Sequence, residues 1–278
     1  MMSQRLNAPA APGDRRVSRV CSTCAVAAVS LLLAACVTET TGGFAAKRSE
    51  TEVLQDYLQL ATGYLEQGDL ASSKRHLGNA ERLGQESSEL WAIWGLVHAR
   101  EGEMHLARRD FERSLQIDPA NARARNNFAA FLFAVGETEA AFAQLELVVA
   151  DTRYPARSQA FENLGLAALR LGRREEARLA FERAVQLNPE QLRSQLELAG
   201  LHLDQGRQGS AEAAFGEYLR LMPKFSASHD ARSLWLGIRL EAARGNRVSV
   251  LGYGEQLEAG FASAPEVSRY HALLDELE

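Results

Sequence analysis

Three cysteines and six histidines are the side chains of this 278-residue chain best suited to chemistry. Cys21-Ser22-Thr23-Cys24 has the spacing of a redox or metal-binding pair. It runs directly into an apolar stretch from Cys24 to Ala35, with Val26, Val29, Leu31, Leu32 and Leu33, and Arg15, Arg16 and Arg19 precede it. A basic flank followed by about a dozen apolar residues is the pattern of a secretory signal, too short for a membrane-spanning helix. The stretch closes on Leu33-Ala34-Ala35-Cys36, which looks like a bacterial lipobox. Small residues there suit a signal peptidase, and the Cys36 thiol would take a diacylglycerol. The expectation is that residues 1–35 are removed and the CxxC pair with them. Cys36 then becomes a lipidated N-terminus whose sulfur is consumed, so no disulfide can form. Several acyl chains anchor firmly, because each buried methylene contributes about 0.8 kcal/mol. Val37 stands where an aspartate would mark retention in the inner membrane, so the expected location is the outer membrane, facing the periplasm. The competing reading is an ordinary signal peptide with a chance cysteine.

The histidines offer less. His76, His98, His105, His202, His229 and His271 show neither HxxxH nor HExxH spacing. Ser228-His229-Asp230 holds the residue types of a hydrolytic triad, but three neighbours in one loop cannot adopt its geometry. Glu175-Glu176 and the pair Glu137 and Glu139 read as first-turn carboxylates that favour a helix dipole. No glycine-rich phosphate loop is present. The expectation is no enzyme, no metal, no cofactor and no small-molecule substrate. His98 and His202 would reopen the enzymatic reading only if a cysteine, histidine or carboxylate lay within bonding reach of either. The formal charge of −5 becomes about −8 once Arg5, Arg15, Arg16, Arg19 and Asp14 are removed, leaving 27 basic against 35 acidic side chains. An acidic chain without a basic run is a poor nucleic-acid binder.

Most of the chain is instead a repeat of about 34 residues. Trp91, Trp94, Gly95, Ala107, Phe111, Ser114 and Pro119 form one copy; Phe161, Leu164, Gly165, Ala177, Phe181, Ala184 and Pro189 form another. Leu198, Ala199, Ala211, Phe215, Tyr218 and Pro223 fall at the same offsets. Small residues let two antiparallel helices approach and large ones fill the seam, which is the tetratricopeptide (TPR) pattern. Gly68-Asp69, Gly102-Glu103, Gly136-Glu137, Gly172-Arg173, Gly206-Arg207 and Gly245-Asn246 supply the turns within the pairs. The expected fold is all-α: a right-handed TPR superhelix (an α-solenoid) of about six helix-turn-helix repeats with a C-terminal capping helix. Residues 36–53 read as lipidated N-terminus and flexible tether, and 54–223 as repeats one to five. Residues 224–278 read as a degenerate sixth repeat, its second helix at 248–259, and a capping helix at 265–277. Asp151-Thr152-Arg153-Tyr154-Pro155 carries a two-residue excess that predicts a longer loop, and the register slips by about four residues after Pro223.

In such arrays the first helices line a concave groove, which usually holds another protein. The register assigns Leu58, Thr62 and Leu65 from repeat one and Ala92, Leu96 and Ala99 from repeat two to a mostly apolar strip, suited to a partner helix or strand. Asn126, Asn127, Phe133, Asn163 and Leu166 extend the groove with more polar character. The bland alternative is that the asparagines are ordinary repeat residues and that a neighbouring segment fills the strip. Charged substitutions at Leu58 or Leu96 are expected to leave the fold intact.

Certain stretches are not generic. Asn126-Asn127-Phe128-Ala129-Ala130-Phe131-Leu132, Asp151 to Ser158, Phe161 to Leu166 and Ala231 to Leu240 resemble the type IV pilus biogenesis and stability proteins, the PilF/PilW family of lipoprotein pilotins. The second and fourth lie where the chain departs from the TPR consensus. The resemblance runs from Tyr57 to about Leu257. It implies a periplasm-facing outer-membrane lipoprotein of six TPRs that binds the pilus secretin and promotes its localisation and ring assembly. It also implies an apolar binding groove near the first repeat, at Leu58, Leu65 and Leu96. A TPR lipoprotein adaptor for peptidoglycan hydrolases or outer-membrane protein assembly is the alternative, but it leaves Asp151–Ser158 and Ala231–Leu240 unexplained.

Overall fold

The computed structural model describes residues 48–277. The signal segment 1–35, the lipidation site Cys36 and the tether up to residue 47 lie outside the described residues. Among those described there are thirteen α-helices and no strands. They pair as α1 (Glu50–Glu66) with α2 (Leu70–Glu81), α3 (Ser88–Glu101) with α4 (Met104–Ile117), and α5 (Ala122–Ala134) with α6 (Thr138–Ala150). Then follow α7 (Arg157–Arg170) with α8 (Arg174–Leu187), α9 (Leu192–Asp204) with α10 (Gln208–Leu221), and α11 (Ala231–Ala243) with α12 (Arg247–Phe261). A last helix, α13 (Pro265–Glu276), packs on both members of the sixth pair. The chain is therefore a six-repeat TPR solenoid with a capping helix. Successive first helices also touch, α1 with α3, α3 with α5, α5 with α7 and α9 with α11.

The seam within each pair follows the small-against-large rule literally. A methyl group placed on Gly95 would stand 2.9 Å from the Phe111 ring, and one on Gly165 only 2.6 Å from the Phe181 ring. Phe111 and Phe181 are fully buried, so neither ring has space into which to retreat. Gly237 meets Tyr253 in the same way in repeat six, at 3.1 Å. The turn glycines Gly68, Gly102, Gly136, Gly172, Gly206 and Gly245 all have φ between 69° and 90°, where a side chain is strained. That conformation ends the first helix and reverses the chain in three residues.

Helix boundaries differ from expectation at both ends. Glu50–Val53, assigned to the tether, form the first turn of α1, where Glu50 and Glu52 favour the helix dipole. Helix α12 runs two residues further than expected, to Phe261. The α6–α7 connection spans residues 151–156, against 118–121 and 188–191 at the flanking junctions, as the Asp151–Pro155 excess requires. After Pro223 a short 3-10 turn, Pro223–Phe225, absorbs the slipped register. Asp230 then caps α11 by accepting from the Ser233 amide at 2.7 Å, while the Ser233 hydroxyl bonds the Asp230 backbone.

Polar side chains pin each repeat to the next. Glu162, buried in α7, accepts from the Ser194 amide at 3.1 Å and its hydroxyl at 2.8 Å at the start of α9. Glu197, buried in α9, is gripped by both terminal nitrogens of Arg232 in α11. Arg100 Nη1 donates to the Leu65 carbonyl and Arg170 Nη1 to the Phe133 carbonyl, at 3.3 and 2.9 Å. Arg125, which occupies a usually bulky apolar position, is half-buried and donates to Gln144 and to the Pro119 carbonyl.

Candidate functional site

The groove residues read from the register fall into four groups. Thr62, Ala92, Leu96 and Asn127 meet in one pocket of about 240 Å³ between α1, α3 and α5. Ile93 and Ala124 complete its apolar lining, and Glu89 and Arg123, 4.0 Å apart, stand at its rim. Asn121, at the foot of α5, ties two repeats together there: its Oδ1 caps the Ala124 amide and its Nδ2 donates to the Ser88 hydroxyl, both at 2.9 Å. Ligand sites for small molecules usually enclose about 300–1,000 Å³, so this space fits one or two side chains of a partner better than a metabolite.

Leu58 and Leu65 do not line that pocket. Both are buried, Leu58 at 1% and Leu65 at 4% exposure, in the core formed by α1, α2 and α3 with Leu54, Leu77, Leu90 and Val97. The physical reason is period: both lie on the α1 stripe with Leu54 and Ala61, which seals the first repeat against α2 and α3. A charge at Leu58 would therefore break the core rather than spare the fold.

Ala99, Phe133 and Leu166 are half-buried against the clusters that join repeats. Leu96 touches the first and second of those clusters and Phe133 the second and third, so each is part joint and part groove wall. Phe133 additionally carries the Arg170 guanidinium 4.7 Å above its ring. Asn126 and Asn163 bond one another at 3.2 Å across neighbouring repeats. Their side chains thus begin a polar ladder rather than standing free.

The residues suited to chemistry resolve differently. His98 Nδ1 lies 2.6 Å from Asp110 Oδ2, with the imidazole stacked on Trp94 at 5.2 Å and Asp110 wholly buried. The carboxylate partner that would reopen an enzymatic reading is therefore present at His98. Arg109 occupies the other Asp110 oxygen at 3.1 Å, and among the described residues no hydroxyl bonds the pair. The arrangement resembles a bonded seam between α3 and α4. Repeats four and five carry Ala180 and Ala214 at the Asp110 position, and comparing those offsets would have exposed the unusual carboxylate.

His202 is buried and lies 4.0 Å from Glu182. Burial is the larger influence and pushes its pKa below the ordinary imidazole value, against the pull of Glu182. His229 is likewise pushed down by burial, between the Tyr218 and Tyr253 rings, and its Nδ1 meets Ser233 at 3.1 Å. Asp230 is engaged as a helix cap, so the Ser228-His229-Asp230 sequence builds no triad. Glu175 is held near pKa 2 by hydrogen bonds from Arg178, whose own pKa rises in return. Among the described residues no three His, Cys, Asp or Glu side chains gather as a metal site would require. No described helix is long and apolar enough to cross a membrane.

A tetratricopeptide-repeat family model matches residues 58–122 and 162–224. The type IV pilus assembly protein PilF of Pseudomonas aeruginosa is 32% identical over 225 residues, which are 81% of this chain and 87% of that protein. The chain belongs to the PilF family. A solved structure of Pseudomonas aeruginosa PilF superposes with a TM-score of 0.76 at 31% identity, over 81% of this chain and 99% of that one. The structure of PilW, described as a widely conserved type IV pilus biogenesis factor, shares the fold at TM-score 0.65 and 23% identity, over 78% of this chain and 98% of that one. TPR proteins of this kind generally serve as non-enzymatic scaffolds for protein–protein contact.

Proposed function

We propose that this chain is a lipid-anchored pilotin, which binds the type IV pilus secretin and promotes its localisation to the outer membrane and its multimerisation. Family membership supports a role in pilus biogenesis. The observation that carries the binding mode is the pocket where Thr62, Ala92, Leu96 and Asn127 converge, apolar at its base and polar at its rim. In this reading Cys36 carries the lipid, residues following it give reach, and the pocket covers an apolar side chain on an unassembled secretin subunit. Tethering raises the local concentration of that subunit at the membrane without any new contact.

The test is co-purification from detergent-solubilised outer membranes, comparing the native chain with Cys36→Ala, Leu96→Glu and Thr62→Arg. The native chain brings down secretin, Cys36→Ala loses the membrane, and Thr62→Arg stays folded while secretin multimers fail; Leu96→Glu charges a residue packed against two repeat clusters, so its urea midpoint is measured alongside. Normal multimers with both pocket variants would place the contact elsewhere. Cell-wall hydrolases in place of secretin would establish the adaptor reading instead.

A further inference from the structure

A second groove, distant in sequence from that pocket and independent of its role, lies at the other end of the array. It has a volume of about 250 Å³ and runs between α9 and α11, with α13 contributing Glu266 and Arg269. Half-buried Gly200 and Trp235 line it beside buried Leu196, Leu201 and Leu236, and four arginines, Arg174, Arg232, Arg239 and Arg269, border it.

The charges are layered. Glu197 sits beneath Arg232 with only 1% of its side chain exposed, and Glu266 under Arg269 has 16%. Asp204 is shared by Arg174 and Arg239, the latter at 2.6 Å. By contrast Arg174, Arg232 and Arg269 each keep more than half of the side chain in solvent, while Arg239 and Asp204 keep 33% each. Each carboxylate fixes the orientation of a guanidinium, and a guanidinium carries five donors, so several remain directed outward. The lining thus carries four guanidinium charges against three carboxylates, a single net positive charge with most of the guanidiniums the more exposed, although the chain as a whole carries −5.

Gly200, like Gly63, Gly78, Gly209, Gly216, Gly252 and Gly260, is a helical glycine with open space around it, and it is the one that lines this groove. It lies inside α9, where glycine disfavours the helix relative to alanine. The neighbouring Ala199 already fills the seam position, and a methyl group on Gly200 would meet nothing within 4 Å. The packing of the fold thus gives no reason for its smallness, unlike Gly165. A bare helix surface lining a groove lets another backbone approach closely.

We infer that this groove binds an extended, acidic segment of a protein partner, its backbone crossing Gly200. An acidic side chain of that segment meets Arg239 and Arg269, and an adjacent apolar or aromatic one lies on Trp235.

The experiment is to pan a displayed library of random twelve-residue peptides on the full-length chain, counter-selecting on an Arg239→Glu/Arg269→Glu variant. Enriched peptides are then synthesised and titrated by fluorescence anisotropy. The expected peptides carry an Asp or Glu next to an apolar residue, and their binding weakens with salt. Gly200→Ala reduces their affinity at least tenfold while its unfolding midpoint stays level or rises, which separates binding from folding. Peptides without acidic residues, equal affinity for Gly200→Ala, or no enrichment over the counter-selection would overturn the inference. So would binding of N-acetylglucosamine oligomers to this groove in place of peptides.

Discussion

Alanine substitution at three glycines of the first helices tests the seam reasoning, because one chemical change is predicted to act with opposite signs. At Gly165 the new methyl would lie 2.6, 2.7 and 2.8 Å from three atoms of the Phe181 ring. Carbon atoms pack best at about 3.5–4.0 Å, so relief needs a ring shift of about 1 Å. Phe181 is fully buried, and forcing a methyl into a packed core costs about 1–3 kcal/mol. The helix gains about 0.5–1 kcal/mol from replacing glycine, leaving a net loss of about 0–2.5 kcal/mol, toward the upper end because three ring atoms are met at once. At Gly200 nothing lies within 4 Å, so only the gain of about 0.5–1 kcal/mol remains. Gly237, 3.1 Å from the half-buried Tyr253 ring, should fall between them. Urea unfolding followed by circular dichroism reads the order directly, provided the slopes agree among variants. If Gly165→Ala proves as stabilising as Gly200→Ala, the Phe181 ring is not confined and the account of the seam is wrong.

Asp110→Ala strips His98 and Arg109 of their buried acceptor and should cost about 1–3 kcal/mol, visible as an earlier urea midpoint. Glu162→Ala leaves the Ser194 amide and hydroxyl without their acceptor; the same range applies, and hydrogen exchange should show the loss concentrated at the α7–α9 contact. Burial depresses His202 and His229, so below about pH 6.5 the unfolded chain binds protons that the folded one does not. Stability is then full above that value and falls with pH beneath it. Glu175 is depressed toward 2, so its contribution survives until lower pH and leaves the window from 7 to 5 to the histidines. His202→Phe should reduce the drop in urea midpoint between pH 7 and pH 5; an unchanged drop would assign the proton uptake to other groups.

What was legible in the sequence was whatever the repeat dictates locally. The turn glycines, the Gly95–Phe111 and Gly165–Phe181 contacts, the long α6–α7 loop and the slipped sixth repeat each follow from residue type at a fixed offset. Groove membership was less legible, because an apolar residue on a first helix can face either the groove or the next repeat. Leu58 and Leu65 fit an apolar groove strip as well as Leu96 does, yet their stripe with Leu54 and Ala61 turns them inward. Arg232 and Trp235 stood in a stretch singled out as family-like, but only the approach of α13 turns that stretch into one wall of a groove. The Asp110 carboxylate was overlooked because its significance depends on a histidine twelve residues away across the helix turn.

The polar contacts between repeats bear on how one solenoid could serve two partners. Stability in a repeat array comes from each unit and its immediate neighbours, so a disturbance at one junction need not spread. The first pocket rests on the α1–α3–α5 junctions, with Asn121 and Ser88 as its polar tie. The second rests on α9–α11, tied by Glu197 and Arg232. Between them lie the Asn126–Asn163 bond and the Glu162–Ser194 contacts, each a separate joint. Occupying one end should therefore leave affinity at the other almost unchanged. A measured coupling of more than about 1 kcal/mol between the two sites would require the intervening joints to move together. Glu162→Ala is the substitution best placed to show that, since it loosens the middle of the array without touching either groove.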